Sequence, residues 1–212
     1  MFRWLPTVIG VLIVACGGAA AALSDNPFQD VNSPYMRSFG RTPPPYAYIE
    51  FCVRMPEECK AGTEKQSRVV ASAAQLAELD RVNRNVNWEI EPVTDMELYG
   101  VEDYWTIPTN KGDCEDYALL KRQILITEGW PIGSLLMTVV LDERGEGHAV
   151  LTARTEGGDY ILDNKVNDLK LWNQTPYKYI MRQSYVDPEV WLSLDPDKTT
   201  ASGPIAAPRT PR

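Results

Sequence analysis

The clearest helix in this chain opens on the stretch Gly112-Asp113-Cys114-Glu115-Asp116-Tyr117-Ala118. Asp113 is a good N-cap residue, and Asp116 follows three residues later, as the acid of a capping box does. Gly129 and Pro131 form a stop signal. The apolar stripe between these ends consists of Tyr117, Leu120 and Ile124, with Ala118 and Leu125 beside it. The pattern therefore predicts a helix that carries Cys114 in its first turn.

Downstream of this helix, the periodicity becomes strand-like. Strand-like runs occupy residues 135–141, 148–155 and 160–163, and their connections are short and turn-rich. Such connections predict an antiparallel meander. Residues 169–194 are rich in aromatic side chains and are predicted to add a further strand and a short helix. The predicted class is α+β, with the helix that begins at Cys114 packed on an antiparallel sheet.

The residues before this helix divide into three parts. Residues 24–64 are rich in Pro, Asn, Ser and Gly and predict an extended arm. Residues 64–87 hold apolar residues at helical spacing without Gly or Pro, which predicts a long amphipathic helix. Residues 87–110 form an aromatic-rich connection and a candidate groove wall. We place the folded domain at residues 65–196 and a disordered tail, rich in Pro, Ala and Thr, at 197–212.

Residues 1–23 have the features of an export signal: Arg3 near the start, an apolar run, and a stretch of small residues. The apolar run is shorter than the ~20 residues of a transmembrane helix, although an uncleaved membrane anchor is one alternative. Cys16 follows Ile-Val-Ala, which resembles a lipoprotein processing box, so lipidation at Cys16 is another. The signal predicts an exported, periplasmic domain.

The four cysteines fall into three environments. Cys16 belongs to the signal, whereas Cys52 and Cys59 lie close together in an oxidising compartment and predict a disulfide. A zinc site is the alternative for this pair, but the sequence has no second Cys/His pair and a single histidine. Cys114 is left without a partner. A free thiol in that compartment is a liability unless it is buried or used, which points to chemistry.

Three residues have the types and the order that nucleophilic catalysis needs. Cys114 sits where the N–H groups and dipole of a helix N-terminus favour a thiolate. His148, the sole histidine, starts a predicted strand and is a candidate base, and Asp163 closes the next strand and could orient the imidazole, with Asn164 as the alternative. Alone, a buried cysteine is usually inert and a lone histidine is usually structural. Together, Cys114, His148 and Asp163 predict a catalytic triad.

Motifs spread along the chain point the same way. They are Gly112-Asp113-Cys114-Glu115-Asp116-Tyr117-Ala118, Lys121, Gly147-His148-Ala149-Val150-Leu151 and Leu162-Asp163-Asn164, with supporting matches at Val82-Asn83, Val86-Asn87, Asp103-Tyr104-Trp105, Arg182-Gln183-Ser184 and Trp191. In these motifs, from about residue 46 to 194, the sequence resembles the bacterial transglutaminase-like cysteine proteinases, also called LapG-type periplasmic proteases. The resemblance implies a papain-like, transglutaminase-like core in which Cys114, His148 and Asp163 are the triad.

The acids beside Cys114 raise a physical question. Asp113, Glu115 and Asp116 place up to three negative charges next to the thiol, and uncompensated charges raise the pKa of such a group. A bound cation would offset them, and carboxylate oxygens favour calcium. The resemblance implies calcium at these three acids, because LapG-type relatives need calcium at the matching positions. The alternative is that Asp113 only caps the helix while Glu115 and Asp116 complement its dipole.

The resemblance also has implications for mechanism and partners. By analogy with transglutaminases, Trp105 is a candidate oxyanion donor or groove residue, and the Cys114 backbone N–H is a natural oxyanion donor. In characterised relatives the substrate is a large surface adhesin, which links the activity to biofilm control. An inner-membrane receptor that senses cyclic di-GMP holds those enzymes. No organic cofactor is expected.

The favoured function is therefore an exported cysteine peptidase that hydrolyses peptide bonds of a protein substrate. Transglutaminase-type acyl transfer to an amine shares the acyl-enzyme and is one alternative. A non-catalytic periplasmic peptide-binding module is the other, and the presence of all three triad residues argues against it. The formal net charge of -8 argues against nucleic acid as a partner.

Overall fold

The computed structural model of this chain describes residue 1 and residues 32–62 and 68–198. The predicted signal peptide, apart from Met1, lies outside the described residues, and so does the predicted lipidation at Cys16. Residues 199–212 of the predicted tail lie outside them as well. None of the helices in the described ranges is long and apolar enough to cross a membrane.

An antiparallel sheet forms the centre of the described chain. The strands in sequence order are β1 (Arg41–Thr42), β2 (Glu91–Pro92), β3 (Lys111–Gly112), β4 (Leu135–Leu141), β5 (Gly147–Thr155), β6 (Gly158–Leu162), β7 (Lys170–Leu171), β8 (Lys178–Gln183) and β9 (Trp191–Ser193). Seven of them pair in the order β1-β9-β8-β4-β5-β6-β7, and β2 and β3 form a separate parallel pair. The predicted meander is confirmed, since β4, β5 and β6 pair antiparallel through short turns.

Four α-helices accompany the sheet in the described ranges: α1 (Tyr46–Arg54), α2 (Ala73–Glu89), α3 (Asp95–Tyr99) and α4 (Cys114–Thr127). Helix α4 packs on one face of the sheet, where Tyr117 and Leu125 share a buried cluster with Leu135 and Leu151. It begins at Cys114, as the sequence predicts, and Gly129 lies just beyond its end with a φ of 99°. A side chain at that φ would be strained, which explains the glycine. The α+β class is confirmed.

The opposite face of the sheet is covered by the chain around residues 33–36. Met36 joins a second buried cluster with Val140, Val150, Ile161, Trp172, Tyr179 and Leu194. The Trp172 indole N–H donates to the Ser33 carbonyl (3.0 Å), and the Met36 N–H donates to the Asp159 carboxylate (2.8 Å). The central strands are therefore buried on both faces, which explains why β4 and β5 are so apolar.

Helix α2 begins at Ala73, so the predicted start at residue 64 is wrong. The Ser72 side chain accepts a hydrogen bond from the Gln75 N–H, and Gln75 reaches back to the Ser72 N–H, which fixes the first turn as a capping box. Val69 pairs with Thr155 in an isolated parallel bridge instead. Val69 and Val70 continue the apolar spacing of the helix in sequence, but they belong to a non-helical segment that lies beside β5.

The predicted arm is not extended throughout, because residues 46–54 form helix α1. Tyr48 and Phe51 of α1 are buried, and the Tyr48 ring packs edge-on against Trp105 (5.4 Å) and Trp191 (5.2 Å). Such aromatic packing stabilises a short helix that local propensity alone leaves marginal. The correction matters for the cavity described below, because Trp105 and Pro45, which directly precedes α1, line that cavity.

The disulfide between Cys52 and Cys59 is confirmed and ties α1 to the turn that follows it. A cross-link over so short a loop stabilises the folded state by about 2 kcal/mol. We expect the double variant Cys52→Ala/Cys59→Ala to unfold at a temperature lower by roughly 5 °C, measured by calorimetry. A reducing agent should lower the melting temperature of the unaltered protein by a similar amount and leave the variant unaffected. Equal melting temperatures for both proteins would contradict this expectation.

Candidate active site

Cys114 is the first residue of α4 and carries a free, partly buried thiol. Its Sγ accepts a hydrogen bond from the Ala149 N–H (3.4 Å) on β5 and lies 3.3 Å from the Glu115 carboxylate. The thiol faces a cavity of about 430 Å³. Its walls include Pro44, Pro45, Trp105, Val139, His148 and Met181. The helix start and the neighbouring strand therefore hold one sulfur atom at the wall of an open cavity.

His148 and Asp163 are paired on the adjacent hairpin. His148 is the second residue of β5, and Asp163 directly follows β6, where Leu162 pairs with Leu151. The imidazole Nε2 lies 2.9 Å from Asp163 Oδ1, and both side chains are buried. The structure thus places Cys114 and His148 at one cavity and pairs His148 with Asp163. The partner of the imidazole is Asp163 and not the neighbouring Asn164.

Three further groups hold Asp163. The Tyr177 O–H donates to Asp163 Oδ2, the Lys165 N–H donates to Oδ1 (2.9 Å), and the Asn87 amide donates to the backbone carbonyl (2.8 Å). Burial alone would raise the pKa of Asp163, but the hydrogen bonds from His148 and Tyr177 outweigh it and hold the pKa below its ordinary value. Asp163 is therefore a fixed carboxylate that can orient the imidazole.

We expect Tyr177→Phe to lower kcat/KM by roughly 3- to 10-fold, because the variant loses one hydrogen bond to the Asp163 carboxylate. That bond lowers the pKa of Asp163, so its loss should raise this pKa, and activity should start to fall at a higher pH on the acid side. A pH profile of kcat/KM measures both effects. Tyr179→Phe is a matched control, because its hydroxyl bonds Thr175 instead. Identical profiles for Tyr177→Phe and the unaltered protein would contradict this role.

Lys121 lies on α4, about two helical turns beyond Cys114. It is 0% exposed, and its Nζ has no hydrogen-bond partner among the residues that the structure describes. Burial lowers the pKa of Lys121 to about 7, against the opposing attraction of the Asp163 charge. The folded protein therefore bears a destabilising charge at low pH.

We expect Lys121→Met to be more stable than the unaltered protein by about 1 kcal/mol or more below pH 7. In the unfolded chain the lysine keeps its proton up to its ordinary pKa of 10.5. The cost of burying the charge is therefore complete below about pH 7, and it fades as pH rises from 7 toward 10.5. Urea unfolding at pH 6 and pH 10 tests this difference. The exposed Lys60, changed to Met, should show no such pH dependence. A gain for Lys121→Met that is equal at both pH values would refute the explanation.

Five carboxylates gather beside the Cys114 thiol. Asp95, Asp113 and Asp116 offer oxygens within 4.8 Å of one another, and so do Asp95, Asp103 and Glu115. Asp95, Glu115 and Asp116 are 1%, 5% and 0% exposed. One oxygen of each of Asp95, Asp113 and Asp116 is buried and finds no hydrogen-bond partner within the described part of the chain. Buried charged oxygens without partners are costly, so this group has the composition and geometry to hold a metal ion.

The titration behaviour of these groups reflects the crowding. Burial, together with the neighbouring Asp113, raises the pKa of Glu115 to about 10, and burial raises the pKa of Asp116 to about 8. The pKa of the Cys114 thiol is also well above its ordinary value, first through burial and then through the Glu115 charge. With protein groups alone, burial and the neighbouring acids therefore outweigh the effect of the helix N-terminus, which by itself favours the thiolate.

The structure gives the side chains of Asp113 and Trp105 different hydrogen-bond partners from those predicted. Asp113 occupies the N-cap position, but its side chain makes no capping hydrogen bond and instead accepts one from the Asp95 N–H (3.3 Å). The Trp105 indole lines the cavity, as predicted for a groove residue, but its N–H donates to Asp103 (2.9 Å). That N–H is already engaged and is not offered to an oxyanion here.

Asp95 and Asp103 are members of the acid cluster that sequence reasoning missed. The parallel pair β2–β3 joins Pro92 to Gly112 and thereby carries the α3 segment to the start of α4. Asp95 resembles an ordinary first-turn acid after the Thr94 cap, so its sequence position alone gives no sign of a ligand. Asp103 belongs to a motif that the resemblance includes, and that motif was the available signal.

A cysteine at a helix start that shares a cavity with a His–Asp pair defines a class of enzyme, the papain-like and transglutaminase-like thiol enzymes. The family is given by the sequence. Residues 38–199 match the model of the bacterial transglutaminase-like cysteine proteinases, BTLCP. The match covers well over half of the chain, and the chain belongs to this family. It is a cysteine peptidase of the transglutaminase-like type.

Solved structures of LapG from Legionella pneumophila are similar to this chain. The calcium-bound LapG structure is 24% identical, with a TM-score of 0.49, and the similarity covers 64% of this chain and 77% of the LapG chain. The EGTA-treated LapG structure is 25% identical, with a TM-score of 0.47, and covers 58% of this chain and 69% of the LapG chain. No curated protein matches this chain. The family assignment therefore comes from the match over residues 38–199.

Proposed function

We propose that this chain is an exported peptidase that hydrolyses a peptide bond of a protein substrate through Cys114, His148 and Asp163. One observation carries the proposal: the His148–Asp163 hydrogen bond of 2.9 Å lies at the cavity that also holds the Cys114 thiol. Asp163 occupies Nε2 of the imidazole, which leaves Nδ1 to exchange a proton with the thiol. The arrangement provides a nucleophile, a base and an orienting group.

The reaction follows from these roles. His148 takes the proton of the Cys114 thiol, and the thiolate attacks the carbonyl carbon of the scissile peptide bond. The imidazolium then gives this proton to the leaving amine as the carbon–nitrogen bond breaks, which leaves a thioester on Cys114. Water, deprotonated by His148, attacks the thioester and releases the acid product and the thiol. The backbone N–H of Cys114 is one donor for the oxyanion.

We propose that Asp113, Glu115 and Asp116, with Asp95 and Asp103, hold a calcium ion. Their crowded carboxylate oxygens, some buried without partners, fit the oxygen ligands and high coordination number that calcium prefers. A bound ion would supply positive charge that offsets these acids beside the thiol. The residues themselves link the α3 segment to the start of α4 and so position the nucleophile.

The location and partners are proposed on the resemblance and on the export signal of residues 1–23. We place the enzyme in the periplasm, either free after cleavage of the signal or anchored to a membrane by a lipid on Cys16. A large surface adhesin is the proposed substrate, which would connect the enzyme to biofilm control. An inner-membrane receptor that senses cyclic di-GMP is the proposed regulatory partner.

Surface proteins of the source cell, incubated with the purified protein, test the reaction. Mass spectrometry should find new protein N-termini that form with time and are absent when the thiol has been alkylated. A labelled primary amine in the same mixture separates hydrolysis from acyl transfer. Incorporation of this amine at glutamine without new N-termini would overturn the proposal in favour of a transglutaminase. If neither product forms although Cys114 of the untreated protein reacts readily with an alkylating agent, the result would favour a peptide-binding module.

A further inference from the structure

Helix α1 presents apolar side chains outward as well as inward. Ile49 and Val53 are 44% and 78% exposed, although they lie on the same helix as the buried Tyr48 and Phe51. They border a cavity of about 320 Å³, which we call the α1 pocket, lined by Pro44, Tyr48, Ile49, Cys52, Val53 and Glu189. Its volume lies at the lower end of the range for ligand pockets, about 300–1,000 Å³. Its walls are mainly aliphatic and aromatic.

The α1 pocket adjoins the cavity that the Cys114 thiol faces. Pro44 lines both cavities, and Pro45 lines the nucleophile's cavity. The two prolines lack backbone N–H groups and have restricted φ angles, so the ridge between the cavities is rigid and presents no donors. Tyr48 forms part of the floor of the α1 pocket and packs against Trp105, which is a wall of the other cavity. One aromatic layer thus supports both.

We propose that the α1 pocket is a substrate subsite that binds one large apolar side chain of the protein segment lying across Cys114. This inference rests on the proposed peptidase function. A substrate is the occupant because the pocket borders, at Pro44, the cavity of Cys114 across which a substrate of the proposed peptidase must lie. Aliphatic walls select a large aliphatic or aromatic side chain, since its burial removes apolar surface from water. The exposed Glu189 carboxylate at the border disfavours an acidic neighbour in the substrate.

The subsite predicts a sequence preference at one position of the substrate. The preferred cleavage sites carry a large apolar residue at one fixed distance from the scissile bond, because a rigid ridge fixes the separation of the two cavities. Peptides with this residue should be cleaved roughly 10- to 100-fold more efficiently in kcat/KM than peptides with Ser or Asp there. The preference arises from binding of the substrate side chain, so changes to the pocket should not alter the reactivity of the Cys114 thiol itself.

The test uses a peptide library made by digestion of a proteome, with cleavage sites found by mass spectrometry. The unaltered protein should enrich large apolar residues at a single position. Val53→Asp should lose this enrichment, and Val53→Ile should keep it. Val70→Asp is the matched control, since Val70 is also exposed (53%) but is not part of the α1 pocket. Alkylation of Cys114 by iodoacetamide, a small probe with no need of the pocket, should proceed at equal rates in all four proteins.

Each outcome has a distinct meaning. Loss of the enrichment in Val53→Asp alone, with unchanged alkylation of Cys114, supports the subsite. An identical cleavage profile for Val53→Asp and the unaltered protein overturns the subsite and leaves the peptidase function standing. A profile without any large apolar preference also overturns it. If the unaltered protein cleaves no peptide while Cys114 is alkylated normally, the proposed peptidase function itself fails, and the subsite with it.

Discussion

Replacement of Cys114 by serine should lower kcat/KM for peptide cleavage by about 10⁴-fold or more. The serine hydroxyl is a far weaker nucleophile than the thiol, because an alcohol gives up its proton much less readily. The change is nearly isosteric, so the hydrogen bond from the Ala149 N–H and the packing of α4 should be preserved. Cleavage of a peptide that the unaltered protein cuts, followed by quantitative mass spectrometry, measures the loss.

A matched control separates this effect from a general disturbance of the site. Asn164→Ala changes the residue next to Asp163 without touching the hydrogen bond between Asp163 and His148. It should keep kcat/KM within about tenfold of the unaltered protein. The melting temperature of Cys114→Ser should also be unchanged within a few degrees. Retention of more than a tenth of the activity in Cys114→Ser would remove Cys114 from its role as nucleophile.

Sequence reasoning succeeded where the relevant signal is local. The two ends of α4 lie where adjacent residues indicate them, with Asp113 at the N-cap position and Gly129 just beyond the last turn, and the meander follows from short turns. The pairing of His148 with Asp163 needs only one hairpin, whose register is limited by a turn of few residues.

Sequence reasoning failed where distant segments determine the structure. Helix α1 depends on contacts of Tyr48 with Trp105 and Trp191, which lie far apart in sequence, so no local pattern predicts it. Asp95 enters the acid cluster because β2 pairs with β3 across about twenty residues. Tyr177 reaches Asp163 because β8 pairs with β4. In each case, the deciding interaction joins elements that only the complete fold brings together.

Gly112 shows how closely the acid cluster is built into the fold. A Cβ atom at this position would lie 2.5 Å from the Asp116 carboxylate and 2.8 Å from its Cβ. The backbone of β3 thus approaches Asp116 to a distance that only glycine allows. On its other side, Asp116 accepts a hydrogen bond from the Thr106 N–H (2.8 Å). The cluster therefore determines the path of two loops as well as the charge beside Cys114.

If this cluster binds calcium, chelation by EGTA should lower kcat/KM by roughly 100-fold or more, and added calcium should restore it. Without a cation, the pKa of the Cys114 thiol lies well above its ordinary value, first through burial, and the positive charge of a bound ion would favour the thiolate. Asp116→Asn should bind calcium more weakly and need more of it for activity. Glu89→Gln, which removes an exposed charge at the end of α2, should behave like the unaltered protein. Full activity in EGTA would leave the triad standing and refute the calcium site.

Proton release provides a second measurement that does not depend on activity. The pKa values of Glu115, about 10, and Asp116, about 8, mean that both carboxyls hold protons near pH 7. A cation binds the ionised oxygens, so its binding should release about one to two protons per ion at pH 7 and fewer at pH 9. Calorimetric titrations in buffers of different ionisation enthalpy count these protons.

The same shifts determine how stability depends on pH. A raised carboxyl pKa means that the folded state binds more protons than the unfolded state between about pH 4.5 and 10, so the Glu115 contribution to stability falls as pH rises through that window. Bound calcium replaces those protons and should remove most of this decline, and its stabilising effect should therefore grow with pH. Melting temperatures at pH 6 and pH 8, with calcium or EGTA, test the sign. A calcium effect that shrinks as pH rises would show that these acids do not share the ion.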